Sequence, residues 1–129
     1  MSNRVSTKAL IAVVDDDLEM LESLELALLS AGYHSELFAS AETFLVAAQK
    51  LEAGCIVIDI QLGGLSGLDL VRALCAAGFA VPIVLITGSP EALYRRQAIE
   101  LGCAAFLLKP FSTHQLIEAV ARAINSKQN

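Results

Sequence analysis

The sequence contains no tryptophan, only three prolines and no surplus of positive charge. Its 129 residues include nine basic and fourteen acidic side chains, for a net charge of −5, and the basic ones form no stripe. Proteins that bind nucleic acid directly carry a basic patch, so we expect no direct nucleic-acid binding by this chain. No apolar run approaches the roughly 20 residues that a membrane-spanning helix needs, so we expect no membrane insertion either.

Cysteine is scarce as well. Cys55, Cys75 and Cys103 are an odd number and lack the spacing of a metal site. Because Cys55 and Cys103 adjoin apolar runs, we predict that the cysteines are reduced core residues of a cytosolic protein. The opening segment MSNRVSTK has no hydrophobic stretch of the signal-peptide type, which also favours a cytoplasmic location.

Short apolar runs alternate regularly with amphipathic segments along the chain. Runs of β-branched and aliphatic residues bounded by glycine or polar residues indicate strands that are buried on both faces of a parallel sheet. Leucines at helical spacing, followed by glycine stops, indicate helices between them. We predict strands at 10–14, 35–38, 55–59, 82–87 and 104–108, and helices at 18–31, 41–50, 68–77, 90–101 and from 113 to about 124.

Three of these helices begin at recognisable capping residues. Ser40 can cap the second helix, and Ser89 followed by Pro90 is typical of a capped start with proline at the first helical position. Ser112 and Gln115 form a capping box before the fifth helix. Five strands that alternate with five helices predict one α/β domain, a three-layer α/β/α sandwich around a five-stranded parallel sheet. Periodicity alone cannot choose between the two common doubly wound strand orders.

Polar residues stand where four of the predicted strands end. Asp15 and Asp16 follow the first strand, Asp59 ends the third, Thr87 ends the fourth and Lys109 follows the fifth. Parallel strands have their carboxyl ends at one edge of the sheet, where ligands bind in such folds, so we expect these side chains to meet.

Each of these residues also has an ordinary structural explanation. Asp16 or Asp17 could cap the first helix, Asp59 could be a turn residue, and Lys109 alone could be a solvated surface lysine. The combination favours a site. Clustered carboxylates need a cation to stay ionised, and Mg²⁺ suits a small set of oxygen ligands. An aspartate beside a metal, a hydroxyl and an ammonium group points to phosphoryl transfer onto Asp59.

The motifs around these residues resemble the receiver domain of response regulators in two-component signalling. They are VVDDD after the first strand, IDI followed by SGLDLVRAL, LIT with a small residue next, and FLLKPF. The resemblance covers residues 10–124 and leaves tails at 1–9 and 125–129. It implies the strand order 2-1-3-4-5. The FLLKPF and SGLDLVRAL segments look like the FixJ-type branch, whose longer members carry DNA-binding helices.

The resemblance assigns a role to each site residue. Asp59 resembles the phosphoacceptor, Asp15 and Asp16 the acidic pair that binds Mg²⁺ together with Asp59, and Lys109 the lysine that contacts the phosphoryl group. The backbone carbonyl of Gln61 would be a further metal ligand.

The resemblance also assigns a switch. Thr87 matches the switch hydroxyl and Phe106 the aromatic switch position, while the bond between Lys109 and Pro110 is expected to be cis. Phosphorylation would then alter the face formed by the fourth helix, fifth strand and fifth helix. Tyr94, Arg95 and Arg96 on the fourth helix could contribute to a partner or dimer contact there, or be an ordinary solvated helix face.

The implied function is a phosphorylation-activated receiver of a phosphorelay. A sensor histidine kinase or phosphotransfer protein would be the donor, and the chain would be no enzyme beyond catalysing its own phosphorylation and dephosphorylation. Its output would pass to a protein partner, to an effector domain missing from this chain or through a homodimer. The chain could be a single-domain regulator or the excised receiver of a larger one.

Two other classes of protein use similar residues. An aspartate-nucleophile phosphatase usually has a second acid two residues after the nucleophile, where this chain has Gln61. Such a phosphatase also encloses its substrate with a cap domain, for which this sequence gives no indication. A flavodoxin-like nucleotide binder needs a phosphate loop rich in glycine or hydroxyl residues after the first strand. Here Asp15, Asp16 and Asp17 would repel phosphate without a metal. Both alternatives rank behind the receiver.

Overall fold

The structure, a computed structural model, describes residues 9–128, so residues 1–8 of the predicted tail at 1–9, and Asn129, lie outside the described residues. The described chain alternates strictly between strands and helices, as predicted. The strands are β1 (Leu10–Val14), β2 (His34–Phe38), β3 (Ala53–Asp59), β4 (Ile83–Thr87) and β5 (Ala105–Leu108). The helices are α1 (Leu18–Ser30), α2 (Ala41–Ala48), α3 (Gly67–Ala76), α4 (Ala92–Glu100) and α5 (Thr113–Gln128).

The five strands form one parallel sheet in the order β2-β1-β3-β4-β5. This is the order 2-1-3-4-5 that the resemblance implied, so the predicted fold is confirmed. Two layers of helices cover the sheet. Ala12 and Val14 of β1 pack in the layer with α2, α3 and α4, while Ile11 and Val13 pack in the layer with α1 and α5. The inner strands β1, β3 and β4 are therefore buried on both faces, as their apolar composition predicts, whereas the edge strands β2 and β5 are partly exposed.

Several helices are capped by the residues that the sequence indicates. Ser40 accepts a hydrogen bond from the backbone N–H of Thr43 at 3.1 Å, at the start of α2. In the capping box of α5, the Ser112 N–H donates to Gln115 Oε1 at 2.8 Å and the Gln115 N–H donates to Ser112 Oγ at 3.0 Å. Gly32 ends α1 with φ 90°, a backbone conformation that glycine adopts without strain.

The predicted start of α4 is wrong. The helix begins at Ala92 with Glu91 as its N-cap, and in the described chain Glu91 makes no side-chain capping bond. Ser89 and Pro90 belong to the preceding loop because the Ser89 N–H donates to the hydroxyl of Thr87 at 3.1 Å, which extends the turn after β4. The Ser89 hydroxyl still accepts a bond from the Glu91 N–H, at 3.4 Å, but Ser89 stands three residues before the first helical residue, Ala92.

The last helix is longer than its apolar pattern indicates. α5 continues through residues 125–128, beyond the predicted end near Ile124. At 16 residues it is the longest of the described helices, and none of them is both long and apolar enough to cross a bilayer.

The three cysteines are free thiols, as predicted, but they are not all core residues. Cys55 on β3 is fully buried and Cys103 is half-buried. Cys75 is exposed near the end of α3, so its prediction as a core residue is wrong. It follows Val71 by four residues, at the margin of the face on which Leu70, Val71 and Leu74 are buried.

Candidate functional site

The register of the sheet brings the predicted site residues together. Val14 pairs with Ile58, so Asp15 comes level with Asp59 at the ends of two adjacent strands. On the other side, Asp59 pairs with Ile86 of β4, so Thr87 lies one residue beyond that pair. Thr87 in turn pairs with Leu108 of β5, so Lys109 lies one residue beyond this second pair. Four separate segments thus meet at the carboxyl edge of the sheet.

Lys109 joins the two buried carboxylates at this edge. Its Nζ lies 2.9 Å from Oδ2 of Asp59 and 3.4 Å from Oδ2 of Asp15. Asp15 is fully buried and Asp59 is 4% exposed. The remaining oxygens are also bonded, because Asp59 Oδ1 accepts from the Gln61 N–H and Asp15 Oδ1 from the Asp17 N–H, both at 2.9 Å. Lys109 is therefore an internal counter-ion rather than a solvated surface lysine.

The three consecutive aspartates have three different roles. Asp17 caps α1, since its carboxylate accepts bonds from the N–H groups of Glu19 and Met20. Asp16 is exposed, and its Oδ2 accepts a bond from the N–H of Gly63 at 3.0 Å across the site. Asp15 is the buried member. The helix cap that the sequence could place at Asp16 or Asp17 thus belongs to Asp17, and the other two remain available to the site.

Asp15, Asp16 and Asp59 form a cluster suited to a metal ion. One carboxylate oxygen of each lies within 4.8 Å of those of the others. Three carboxylates offer hard oxygen donors of the kind that Mg²⁺ and Ca²⁺ bind, so the residues present fit a divalent cation. The backbone of Gln61 adjoins the cluster through its bond to Asp59, and its carbonyl as a ligand stays a prediction.

Burial and the neighbouring charges shift the pKa values of Asp15 and Lys109. Burial raises the pKa of Asp15 to about 6; the N–H of Asp17 opposes this shift and the charge of Asp59 adds to it. Burial lowers the pKa of Lys109, but the hydrogen bond and charge of Asp59, with the charge of Asp15, outweigh it and raise that pKa above its ordinary value. The lysine is thus held in its charged form beside the two carboxylates.

Thr87 is fully buried, and its hydroxyl is already in use. It donates to Oε1 of Gln61 at 2.8 Å and accepts from the Ser89 N–H at 3.1 Å. The Gly88 N–H also points to Oε1 of Gln61, at 3.4 Å. Sequence reasoning did not predict this bond between the Gln61 side chain and Thr87. The available signal was its position two residues after Asp59, in the loop that faces the end of β4.

Phe106 lies away from the carboxylates. It is half-buried on β5, and the guanidinium of Arg95 on α4 lies over its ring, 5.2 Å from the centroid. The structure therefore places the predicted aromatic switch at the face of α4, β5 and α5 rather than in the acidic site. Arg95 has a specific contact there that the sequence did not indicate, whereas Tyr94 is half-buried and Arg96 exposed.

The backbone around the site is tightly constrained. The Gly67 N–H, at the start of α3, donates to the carbonyl of Ile60 at 2.9 Å. A methyl group on Gly67 would lie 2.7 Å from Cα of Ile60, so only glycine lets α3 approach the end of β3 so closely. The peptide bond between Lys109 and Pro110 is cis, as predicted.

Comparisons with known proteins agree with this geometry. Residues 11–121 match the family model of the response regulator receiver domain. The transcriptional regulatory protein FixJ of Bradyrhizobium diazoefficiens is 36% identical over 124 residues, which cover 96% of this chain and 60% of FixJ. Response regulator protein TodT of Pseudomonas putida is 35% identical over 124 residues, covering 96% of this chain and 53% of TodT. The chain thus spans little more than half the length of these curated relatives.

Solved structures give the same result. Full-length FixJ from B. japonicum superposes with a TM-score of 0.89 at 36% identity, covering 95% of this chain and 61% of that one. The structure of FixJ-N superposes with a TM-score of 0.86 at 30% identity, covering 93% of this chain and 96% of that one.

The residues at the sheet edge, the strand order and the sequence matches therefore point to one family. The match extends over most of the described chain, and FixJ regulators from two organisms are among the relatives, which confirms the predicted FixJ-type branch. This chain belongs to the response regulator receiver domain family of two-component signalling systems.

Proposed function

We propose that this receiver accepts a phosphoryl group on Asp59 from the phosphohistidine of a sensor histidine kinase or a phosphotransfer protein, in a reaction that requires Mg²⁺. The observation that carries this proposal is the meeting of Asp59 with two further carboxylates and the ammonium group of Lys109 at one sheet edge. Such a set binds a divalent cation and a phosphoryl group together, which each residue alone would not do.

In the proposed transfer, a carboxylate oxygen of Asp59 attacks phosphorus. The bond between phosphorus and the imidazole nitrogen of the donor breaks, and its electron pair stays on that nitrogen. Lys109, 2.9 Å from Asp59, offsets negative charge on the phosphoryl oxygens. Bound Mg²⁺, held by Asp15, Asp16, Asp59 and the Gln61 carbonyl, would neutralise the remainder. The chain would catalyse only its own phosphorylation and dephosphorylation, so it is no enzyme with a separate substrate.

The response to phosphorylation would begin at Thr87. A phosphoryl group on Asp59 adds acceptor oxygens that draw the Thr87 hydroxyl and Lys109 inward. Phe106 would turn into the space that Thr87 leaves, and this movement would break the contact between its ring and Arg95. The face of α4, β5 and α5 then differs between the two states.

Two surface cavities support the proposed partners. A cavity of about 160 Å³ between α1 and the loop after β5, lined by Met20, Leu24, Lys109 and Phe111, opens beside the acidic site and suits the docking of a phosphoryl donor. A second, of about 320 Å³, lies on the face of α4, β5 and α5, between Arg95, Phe106 and Arg122. It suits a downstream protein, an effector domain outside this chain or a second copy in a homodimer. We place this signalling in the cytoplasm.

Intact-protein mass spectrometry after incubation with acetyl phosphate tests the proposal. We expect one added phosphoryl group, about 80 Da, on the wild type with Mg²⁺. We expect none without Mg²⁺ and none on Asp59→Asn.

Asp69→Asn is a matched control, because Asp69 is an exposed carboxylate paired with Arg72 on α3. This variant should be phosphorylated like the wild type. Some receivers do not accept small donors, so the phosphate analogue beryllofluoride provides a second assay. A wild type that neither gains the phosphoryl group nor binds beryllofluoride, or an Asp59→Asn variant that is still modified, would overturn the proposal.

A further inference from the structure

Cys75 and Cys103 both line one cavity at the amino end of the sheet, opposite the acidic site. Cys75 lies in the last turn of α3, and its Sγ is 3.9 Å from the carbonyl oxygen of Leu101. Leu101 is the C-cap of α4, and Cys103 follows it by two residues, just before β5. The turn after α4 therefore contacts one thiol and carries the other.

Both thiols line one surface cavity of about 350 Å³. Its other walls include Phe79, Pro82 and Leu101. A cavity of this size admits a small molecule. Cys75 is exposed and Cys103 is half-buried, so a reagent that enters the cavity meets Cys75 first.

The two thiols also interact electrostatically. Burial, and to a lesser extent the charge of Cys75, raise the pKa of Cys103 to about 12. Cys55 has a pKa raised to about 12 by burial, but it is fully enclosed in the layer of α1 and α5. Cys103 instead packs against the layer of α2, α3 and α4. The chain thus contains one pair of neighbouring thiols and one isolated thiol as an internal control.

We propose that Cys75 and Cys103 form a redox-sensitive pair that a small-molecule disulfide converts into an intramolecular disulfide. The thiolate of Cys75 attacks a sulfur of the oxidant, forms a mixed disulfide and releases one thiol molecule. The thiolate of Cys103 then attacks Sγ of Cys75 and releases the second thiol molecule. Two cysteine protons are lost, the protein is oxidised by two electrons, and the oxidant is reduced to two thiols.

The second step is the slow one. Cys103 is seldom ionised at neutral pH, and the thiolate is the nucleophile, so closure should become faster as the pH rises. The resulting bond would join α3 to the chain segment between α4 and β5. It would therefore restrain the two elements next to the proposed output face, and it would raise the melting temperature in a way that a reducing agent reverses.

The test uses the full chain with oxidised glutathione, followed by denaturation, alkylation of the remaining thiols and mass spectrometry. We expect the wild type to lose two hydrogens, about 2 Da, and to keep one thiol that can be alkylated. Trypsin should cut after Lys50, Arg72 and Arg95, which places the three cysteines on separate peptides. The expected cross-link joins the peptide that contains Cys75 to the peptide that contains Cys103.

Matched variants separate the possible outcomes. Cys55→Ala should form the same cross-link as the wild type. Cys103→Ser should stop at the mixed disulfide on Cys75, and Cys75→Ser should resist oxidation. The proposal is overturned if the wild type accumulates a stable mixed disulfide, a disulfide-linked dimer or a bond to Cys55. Asp59→Asn should oxidise like the wild type, so this result stands or falls separately from the phosphorylation of Asp59.

Discussion

The hydroxyl of Thr87 has one proton, and in this structure it donates that proton to Oε1 of Gln61. Thr87 cannot donate to a phosphoryl oxygen until this bond breaks. Gln61→Met keeps the length of the side chain but removes the acceptor. Since one such bond contributes about 0.5–1.5 kcal/mol, we expect this variant to bind beryllofluoride about 2- to 10-fold more tightly in a titration with Mg²⁺.

Gln49→Met makes the same chemical change at an exposed position at the end of α2, and it should leave the affinity unchanged. Equal affinities for wild type and Gln61→Met would show that the bond to Gln61 does not restrain Thr87. If the wild type itself fails to bind beryllofluoride, the proposed phosphorylation fails first.

Asp15 should limit the stability of the metal-free protein at neutral pH. Its pKa is raised from 3.8 to about 6 in the folded state, so its contribution to folding is most favourable below pH 3.8 and is lost as the pH rises through about 6. We expect Asp15→Asn to increase the free energy of unfolding by about 1–3 kcal/mol at pH 7.5 and by little at pH 4. Urea unfolding with a chelator present measures both values.

Exposed Asp69→Asn is the control for this measurement, and it should have little effect at either pH. A gain in stability for Asp15→Asn that is the same at pH 4 and pH 7.5 would mean that ionisation of Asp15 is not its source.

The three consecutive aspartates show what the sequence alone could not predict. Their chemistry is identical, and only the folded backbone separates the cap Asp17 from the buried Asp15.

Gly67 fixes the distance between α3 and the end of β3. A methyl group there would meet the backbone of Asp59 and Ile60, which cannot give way as a flexible side chain can. We expect Gly67→Ala to lower the free energy of unfolding by about 1–3 kcal/mol, as overpacking does, and to slow modification of Asp59 by acetyl phosphate. Urea unfolding and timed mass spectra measure the two effects.

Gly88→Ala is the matched control, because no described atom beyond Gly88 and its two chain neighbours lies within 4 Å of the position its methyl group would take. It should unfold within about 0.5 kcal/mol of the wild type, as open surface substitutions do. If Gly67→Ala is equally well tolerated, α3 can move away from β3, and the close approach does not position Asp59.

The helices and strands could largely be predicted from the sequence, for physical reasons that also explain the failures. Fully buried strands require uninterrupted apolar runs, as in Ile83–Thr87, and Ser112 with Gln115 is a local signal that needs no tertiary context. The prediction for the start of α4 failed because Ser89 and Pro90 match a helix start, whereas the N–H of Ser89 bonds to the hydroxyl of Thr87, only two residues earlier. This local turn competes with the helix cap, and the residue types at 89 and 90 do not decide between the two.

At the scale of the whole molecule, the acidic cluster exists only when the sheet is assembled. Asp15 and Asp16 follow β1 and Asp59 ends β3, so the unfolded chain holds no such cluster. Mg²⁺ should therefore stabilise the folded state alone. At a concentration of about 100 times its Kd, we expect the free energy of unfolding to rise by about 2.7 kcal/mol.

Urea unfolding with and without Mg²⁺, at an affinity measured separately by titration, tests this expectation. Asp16→Asn should weaken binding and reduce the gain at the same Mg²⁺ concentration, whereas Asp69→Asn should not. Equal stabilisation of the wild type and Asp16→Asn would place the ion elsewhere on the protein.

The overall architecture was partly accessible from residues alone. The alternation of apolar runs and helices predicts the α/β/α sandwich, but both doubly wound strand orders share that alternation, so the order came from the resemblance. The convergence of Asp59 and Lys109 followed from the parallel sheet. The bond from Thr87 to Gln61 did not, because it depends on the path of a loop rather than on the register of strands.

β5 is only four residues long, about 13 Å from end to end. Lys109 follows its carboxyl end at the acidic site, and Cys103 lies two residues before its amino end, at the cavity that Cys75 and Cys103 line. The proposed disulfide would therefore anchor the amino end of the same strand whose carboxyl end leads to Lys109. The domain would then integrate two inputs through β5, because the oxidation state of Cys75 and Cys103 at the amino end of the strand would adjust the response to phosphorylation of Asp59 at its carboxyl end.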